Sequence, residues 1–309
     1  MKNLVVDILR NNERFEIVTH EGPDEDAVGS SRALAFGLLS MGKKVKIVYP
    51  TPIPDSLLFT SAPKNQKDVK PQISLLLDVS DMNMLGGFHP RGEIVIVDHH
   101  KTDITAGMTC WIDPGKSSAS EMVYDLLRAL EIEITQAMAS NLYLGIFGDT
   151  GGFIHVNTTP RVFRIAYELT RGGADPNLIA YRVRRSKSLT YYHLLSMVMD
   201  RMMINDGVYA SYISLAELKR IKARPDDASG IVEEMASLAG AELVIFLKEL
   251  NPDTVHCSMR SKTGQSALRT ARAFGGGGHE RAAGITLKGR ASEKIEDVIE
   301  EGLKWVNKG

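Results

Sequence analysis

The sequence predicts an α/β fold in two domains: a mainly parallel sheet with helices on both faces, then a smaller mixed α/β domain. In the first half, strand-like apolar runs alternate with helical patterns, which is typical of a parallel sheet covered by helices. The length of 309 residues suits two domains of ordinary size. A long helical pattern interrupts the alternation, so we expect domains at 1–185 and 205–309 with a linker helix at 186–204.

Four short apolar runs are the predicted strands of the first domain. They are residues 15–19 (FEIVT), 45–49 (VKIVY), 73–77 (ISLLL) and 93–97 (EIVIV). The helical run after the first strand closes at Gly42, a residue type that favours a helix C-terminus. Ser118 and Glu121 have the spacing of a capping box. Thr159 followed by Pro160 matches a cap with proline in the first turn, so two further helices are expected to begin at these signals.

The second domain is also predicted to mix strands and helices. Strand patterns cover residues 208–215, 242–250 and 254–261, and helical patterns cover residues 229–240, 266–274 and 293–306. In the linker segment the Met and Tyr residues fall at helical spacing, which predicts ordinary packing of a helix face.

Charge is divided unevenly along a chain whose net charge is only −1. Subtracting Asp and Glu from Lys and Arg gives 17 − 22 = −5 for residues 1–180, 17 − 11 = +6 for 181–290 and 3 − 5 = −2 for 291–309. This composition argues against a disordered or grossly basic protein. An acidic front and a basic back suit a protein that holds cations in its first half and an anion in its second, although surface charge also varies without functional meaning.

Two features bear on the cellular compartment. The only cysteines, Cys110 and Cys257, lack CxxC spacing, which argues against a disulfide scaffold or a thiolate zinc site. The N-terminal residues 1–15 have no long apolar core of the kind found in signal peptides, and no segment approaches the roughly 20 apolar residues of a membrane span. We therefore expect a cytoplasmic protein that does not associate with membranes.

Acidic and imidazole side chains follow the strands of the first domain where each strand ends. The carboxyl ends of parallel strands meet at one edge of a sheet, so these side chains are expected to lie together. A fourth segment, LGIFGDTGGF, ends an apolar helix on an aspartate followed by glycines. The residues concerned are His20, Asp24, Asp26, Asp78, Asp98, His99, His100 and Asp149.

Carboxylate and imidazole groups suit Mn, Mg, Fe or Zn. Six ligands exceed what one catalytic ion with open positions needs, and they fit two ions about 4 Å apart that share a carboxylate. Each polar strand end taken alone is better explained as a turn or a helix cap. Four segments that supply the same ligand chemistry favour a metal site.

These motifs resemble the DHH phosphoesterases, which include RecJ-like exonucleases, type II inorganic pyrophosphatases and the bifunctional oligoribonuclease and pAp phosphatase group. Four N-terminal segments carry the resemblance: THEGPDEDAVGS (19–30), LLLDVSD (75–81), VDHH (97–100) and GIFGDTGGF (145–153). In the second half, SMRSK (258–262) and FGGGGHERAAG (274–284) are similar to the DHH-associated domain of the family. The resemblance implies that the active site lies in a cleft between the two domains.

The resemblance also implies a role for each residue of the first domain. The ligands are His20, Asp24 and Asp78 for one divalent ion, and Asp26, Asp78, His99 and Asp149 for a second, with Asp78 as the bridge. Asp98 would orient its neighbours from behind. His100 would face the substrate, stabilising the phosphoryl group or protonating the leaving oxygen. Mn is the expected metal, with Mg, Co or Fe as alternatives. Two positions depart from the family pattern, Glu25 where Gly is frequent and Gly148 where Thr is common.

The glycine-rich segment of the second domain has two interpretations. Glycines after a helix can simply end it and turn the chain. Four in a row before a histidine exceed that need and leave amide groups that can cradle a phosphate, with Arg260 as a guanidinium partner. The predicted substrate-binding residues are Arg260, Ser261, Lys262, Gly276, Gly277, Gly278 and His279.

The expected function is a two-metal phosphoesterase that hydrolyses oligoribonucleotides of about 2–5 nucleotides to mononucleotides, or pAp to AMP. A phosphodiesterase acting on cyclic di-AMP or pApA is the alternative. The Gly-rich His motif argues against an inorganic pyrophosphatase, and the complete ligand set argues against a non-catalytic nucleotide-binding regulator. The expected partners are short RNA or nucleotide phosphates, and the resemblance leaves a homodimer open.

Overall fold

The computed structural model describes residues 1–64, 69–100, 108–185, 187–278 and 280–306. The chain divides into two compact units, Met1–Ser186 and Lys187–Gly309. The domain limits inferred from the sequence stay a prediction.

The first unit contains a five-stranded sheet in which every neighbouring pair is parallel, with the strand order β2-β1-β3-β4-β5. The strands are β1 (Arg14–Val18), β2 (Lys44–Val48), β3 (Ile73–Leu77), β4 (Glu93–Asp98) and β5 (Thr109–Ile112). The predicted parallel sheet is confirmed. The edge strand β5 was not expected, because a run of four residues is too short to give a periodic signal.

The described residues of this unit form six α-helices. They are α1 (Lys2–Asn11), α2 (Glu25–Ser40), α3 (Ala119–Ala129), α4 (Gln136–Asp149), α5 (Pro160–Arg171) and α6 (Pro176–Arg184). The predicted starts of α3 and α5 are confirmed, because Ser118 and Thr159 cap them. The capping box at α3 is incomplete: the Glu121 carboxylate accepts from the amide of Ser117, one residue before the cap.

The two faces of the sheet are covered differently. Phe15, Leu75 and Val97 point into a large core built with residues of α1 to α6. On the opposite face Leu76 and Ile96 pack with residues of the 3-10 helix Met82–Leu85 and its flanks. Within the described ranges no α-helix joins this second core, so α-helices cover one face of the sheet and a 3-10 helix with its flanking connections covers the other. Connections of this kind carry too few periodic residues to be read from sequence.

A buried carboxylate ties the central strands together. Glu16 of β1 is fully buried and accepts hydrogen bonds from Ser74 Oγ of β3 at 2.7 Å and from the Arg91 amide ahead of β4 at 2.8 Å. Its second oxygen lies 2.8 Å from Lys46 Nζ of β2. Burial opposes ionisation of Glu16, but these partners outweigh it and hold its pKa below the ordinary 4.5.

Replacing Glu16 by Gln should lower the free energy of unfolding by about 1–3 kcal/mol at pH 7, because Lys46 loses its counter-ion. A group whose pKa is depressed by folding stabilises the protein above its unfolded pKa and loses that effect as pH falls. The deficit of Glu16→Gln should therefore stay constant above about 4.5, the ordinary pKa, and shrink as pH falls below it towards the lowered pKa of the folded state. Urea unfolding at pH 7 and at pH values below 4.5 measures the deficit, with Glu93→Gln as the control because Glu93 is exposed on β4 of the same sheet. A deficit that does not change with pH would contradict this explanation.

The second unit contains a six-stranded mixed sheet in the order β10-β11-β9-β8-β7-β6, where only the β7–β8 pair is parallel. The strands are β6 (Met203–Asn205), β7 (Val208–Ile213), β8 (Leu243–Asn251), β9 (Thr254–Ser261), β10 (Gly277–Gly278) and β11 (Ala282–Lys288). The predicted mixed domain is confirmed. Its other strands were missed because β6 and β10 are short and β11 begins only three residues after the glycine run.

In the described residues, five α-helices accompany this sheet. They are α7 (Leu189–Asp200), α8 (Leu215–Arg220), α9 (Ile231–Ala236), α10 (Ser266–Ala273) and α11 (Ala291–Val306). α10 and α11 pack on one face of the sheet. α7, α8 and α9 contribute to a core on the other face. The expected linker helix thus ends earlier than predicted, and its buried Tyr191, Leu194 and Val198 pack within the second unit.

Two expectations about composition can be checked. Cys110 and Cys257 are both buried thiols. In the part of the chain that the structure describes, no helix is both long and apolar enough to cross a membrane.

Candidate metal centre

The first unit brings the predicted acidic and imidazole residues together at the carboxyl edge of its sheet. Three sets of side chains each place one potential ligand atom per residue within 4.8 Å of the others. The sets are His20 with Asp24 and Asp78; Asp26 with His99 and Asp149; and Asp78 with Asp98, His99 and His100. The first two match the groupings that the sequence resemblance implied, apart from the shared Asp78, and their role as ligands stays a prediction.

Asp78 lies at the centre of the cluster. It follows β3 directly, has a left-handed backbone with φ of 59°, and is 4 % exposed. Its Oδ2 is 3.6 Å from His20 Nε2, whereas its Oδ1 is 3.7 Å from His99 Nε2. Oδ1 accepts no hydrogen bond from any described residue although it is buried. A buried carboxylate oxygen without a donor, facing imidazoles, fits a cation.

The tautomer of His20 is fixed by the backbone. Its Nδ1 lies 2.8 Å from the carbonyl oxygen of Glu21, which can only accept, so Nδ1 carries the proton. Nε2 is therefore the atom that faces Asp24 at 3.7 Å and Asp78 at 3.6 Å. Metal-binding histidines commonly donate their other ring nitrogen to a carbonyl in this way.

The second group joins two helices to the end of β4. His99 Nε2 lies 3.0 Å from Asp149 Oδ2, at the last residue of α4. Asp26, in the first turn of α2, is fully buried and accepts from the amides of Ala119 at 2.6 Å and Ser120 at 2.8 Å. These amides begin α3, so the N-terminus of α3 neutralises part of the charge on Asp26.

Asp98 holds His100. Its Oδ1 accepts from the His100 amide at 3.0 Å and lies 2.7 Å from His100 Nδ1. His100 Nδ1 is also 3.3 Å from Asp78 Oδ1. A carboxylate in this position fixes the ring and stabilises its protonated form.

The cluster contains five carboxylates and three imidazoles, and the pKa values reflect the excess of negative charge. Burial disfavours protonated His20, but Asp24 and Asp78 outweigh it and raise its pKa to about 11. Burial is likewise outweighed at His99, whose pKa rises to about 10 next to Asp149, Asp78 and Asp26. Burial and the charge of Asp78 raise the pKa of Asp26 to about 7. The cluster attracts positive charge, which a divalent cation would also supply.

Close packing of α2 against α4 brings Asp26 and Asp149 to the same place. A Cβ at Gly29 would lie 2.9 Å from the Gly145 amide and would collide with the Asn141 carbonyl. A Cβ at Gly145 would lie 2.6 Å from Asp26 Oδ1 and would collide with Ser120 Oγ. Only glycine therefore permits this approach of the two helices.

The two departures from the family pattern contact each other. Glu25 in α2 lies over Gly148 in α4, where a Cβ would collide with the Cβ of Glu25. The side chain at 25 thus occupies the space that a side chain at 148 would need. The two positions therefore compensate in volume next to Asp24, Asp26 and Asp149.

Several residues that position the cluster were not identified from the sequence. Asn157 donates to the carbonyl oxygens of Asp149 at 3.2 Å and Ser117 at 3.0 Å, so it ties the end of α4 to the start of α3. Exposed His155 has Nδ1 3.2 Å from the same Asp149 oxygen. A lone Asn in a loop gives no signal, although the cap at Ser118 marked the helix whose amides bind Asp26.

The predicted substrate-binding residues of the second unit are arranged less simply. Arg260 is partly exposed and donates to Glu233 Oε1 at 2.6 Å. Ser261 points to the other side of β9 and is 8 % exposed, and Lys262 donates to the Leu238 carbonyl at 2.7 Å. This geometry favours Arg260 over Ser261 and Lys262 as a substrate-binding residue. All three assignments stay predictions.

The glycine run partly serves structure. The Gly276 amide donates to the Ala271 carbonyl at the end of α10, and a side chain at 276 would collide with the Gly284 carbonyl. Gly277 and Gly278 form β10 against β11. The interpretation as a helix end therefore holds for Gly276. His279 lies outside the described residues.

An α/β domain with such a ligand set at the carboxyl edge of its sheet has the architecture of a metal-dependent hydrolase. The comparisons identify the family. Residues 14–146 match the DHH family, N-terminal domain, and residues 205–308 match the DHHA1 domain. The chain is 31 % identical to the bifunctional oligoribonuclease and PAP phosphatase NrnA of Thermus thermophilus over 97 % of this chain and 94 % of that one. The chain therefore belongs to the DHH family.

Solved structures share the fold. An exopolyphosphatase-related protein from Bacteroides fragilis has a TM-score of 0.86 at 23 % identity, covering 99 % of this chain and 95 % of that one. RecJ from Thermus thermophilus in complex with Mn2+ has a TM-score of 0.57 at 13 % identity, covering 100 % of this chain and 54 % of that one.

Replacing Gly145 by Ala should weaken binding of Mn2+ at least tenfold, because the added methyl group displaces the Asp26 carboxylate. Calorimetric titration of the metal measures this directly. Gly37→Ala in α2 is the matched control, since its methyl group meets the flexible end of Leu127 in α3. Gly37→Ala should change stability but leave metal affinity as it is. Equal metal affinity in Gly145→Ala and the wild type would refute this role of the close approach.

Proposed function

We propose that this protein is a metal-dependent phosphoesterase that hydrolyses short oligoribonucleotides to mononucleotides and pAp to AMP. Membership of the DHH family and the name of the relative from Thermus thermophilus support this activity. The observation that carries the proposal is the arrangement around Asp78, whose two oxygens face different imidazoles at 3.6 and 3.7 Å. One carboxylate between two ligand groups is what a pair of ions requires.

The side chains present fit two divalent ions. His20, Asp24 and Asp78 would hold one, and Asp26, Asp78, His99 and Asp149 the other, with Mn as the proposed metal. Oxygen and nitrogen ligands suit Mn or Mg, and the buried Asp78 Oδ1 without a donor is an available ligand atom. When bound, such a pair lowers the pKa of a water molecule and neutralises charge on a phosphoryl group.

The remaining polar groups have distinct tasks. Asp98 Oδ1 holds the His100 ring through Nδ1 at 2.7 Å. Burial lowers the pKa of His100, but Asp98 and Asp78 outweigh that effect, so the pKa is raised. A protonated His100 can donate to a phosphoryl oxygen or to the leaving oxygen. In the second unit the Arg260 guanidinium would bind a phosphate remote from the cleaved bond, exchanging its bond to Glu233 for one to the substrate.

A panel of substrates tests the activity. pAp, pApA, cyclic di-AMP, RNA of two to five nucleotides and pyrophosphate should be compared by kcat/KM in the presence of Mn2+. We expect the highest values for pAp and short RNA. Hydrolysis of pyrophosphate alone, or of no substrate, would contradict the proposal. The highest value for cyclic di-AMP or pApA would keep the phosphoesterase and change its substrate.

Asp78→Asn should reduce kcat by at least a thousandfold, because both groups of ligands lose a shared carboxylate. Asn is the informative replacement, since it tolerates the left-handed backbone with φ of 59° that Ala would strain. Asp81→Asn, exposed in the same connection, is the control and should stay close to wild type. Turnover of Asp78→Asn within tenfold of the wild type would exclude a shared ligand at this position.

Arg260→Met should raise KM for short RNA about tenfold and change kcat little, because the guanidinium acts on a remote phosphate and not on the reacting bond. Steady-state kinetics with a trinucleotide measures KM and kcat separately. Exposed Arg220→Met, in α8 of the same unit, is the control. An unchanged KM would remove Arg260 from the substrate-binding residues.

A further inference from the structure

One side of the second unit's sheet carries polar side chains that the proposed site does not use. Along β9, Val255, Cys257 and Met259 belong to the core under α10 and α11. Because side chains alternate along a strand, His256, Ser258 and Arg260 point to the opposite face. These three side chains are partly exposed, so the helices on that face leave this part of the sheet accessible.

Neighbouring strands add a lysine and small residues to the same face. The register places Lys248 of β8 opposite His256. On β11 it places Gly284 opposite Ser258 and Ala282 opposite Arg260. A Cβ at Gly284 would already lie 3.4 Å from the His256 ring. The small residues on β11 thus keep open space beside a row of basic and hydroxyl groups.

The row has more basic groups than acidic partners. Arg260 pairs with Glu233 at 2.6 Å. Within the described ranges the side chains of Lys248 and His256 make neither a hydrogen bond nor an ion pair, although their backbones are paired in the sheet. Burial lowers the pKa of Lys248, and the nearby charge of Asp226 opposes that shift. The pKa of His256 is lowered as well, by burial and by the positive charges of Lys248 and Arg260. A bound anion would favour the protonated forms of Lys248 and His256, which burial disfavours, so these half-buried side chains suit contact with a phosphate.

We propose that Lys248, His256 and Ser258 extend the site at Arg260 into a strip that binds further phosphate groups of an oligoribonucleotide. The inference rests on the proposed function and specifies which substrates gain from it. His256 and Arg260 are four residues apart on one strand, a distance of roughly 13 Å. The strip is therefore longer than one phosphate group, and its Lys248 end serves substrates with several phosphates.

The strip predicts that substrate preference depends on chain length. Lys248→Met keeps the apolar stem and removes the charge, and His256→Gln keeps a hydrogen-bonding group of similar size. Both variants should raise KM about tenfold for RNA of five nucleotides and by a smaller factor for pAp. Lys304→Met is the matched control, because it removes a lysine charge from α11, which packs on the other face. Thermal melting of each variant checks that the fold is retained.

Binding without catalysis separates this inference from the proposed function. Anisotropy of a labelled pentanucleotide, in buffer with EDTA, reports affinity whether or not the protein hydrolyses RNA. Lys248→Met should weaken binding and reduce the slope of log K against log salt by about 0.7, the value for one phosphate contact to a single strand. Equal affinity and slope in Lys248→Met, His256→Gln and the wild type would overturn the strip. An increase in the KM of these variants that is the same for pAp and for RNA of five nucleotides would also overturn the proposed strip.

Discussion

The proposed chemistry depends on the position of one carboxylate. Asp78 leaves β3 with a left-handed backbone, and its amide donates to the Val97 carbonyl of β4 at 3.2 Å. The central strands of the sheet therefore fix the direction of both carboxylate oxygens. A side chain on a flexible loop would lose this precision, because ligand geometry must be held to within about 0.5 Å. The buried strands serve as a rigid support for the polar residues that follow them.

The helices complete what the strands begin. Asp26 and Asp149 come from the beginning of α2 and the end of α4, and they meet because Gly29 and Gly145 let the two backbones approach closely. The α3 amides then bind Asp26, so one carboxylate takes part in both helix packing and the candidate metal centre. Folding and assembly of the site are consequently coupled: a substitution that separates α2 from α4 also disturbs the ligands.

The sequence was sufficient for features that depend on local patterns. Apolar runs that end in Asp or His identified β3 and β4, and the end of α4 at Asp149 was predicted to the residue. Features that depend on tertiary contacts were not accessible. Asn157 and the contact of Glu25 with Gly148 involve residues far apart in sequence, and the four-residue β5 has no measurable period. Side chains alternate between the two faces of β9, so Ser261 and Arg260 point to opposite sides of the sheet although the sequence motif places them together.

Anomalous diffraction from crystals grown with Mn2+ tests the central claim most directly. The account predicts two Mn peaks on either side of Asp78, roughly 4 Å apart, the spacing of two-metal hydrolytic sites. One peak should contact His20 and the other His99. A single peak, or two peaks that do not share Asp78, would contradict the account.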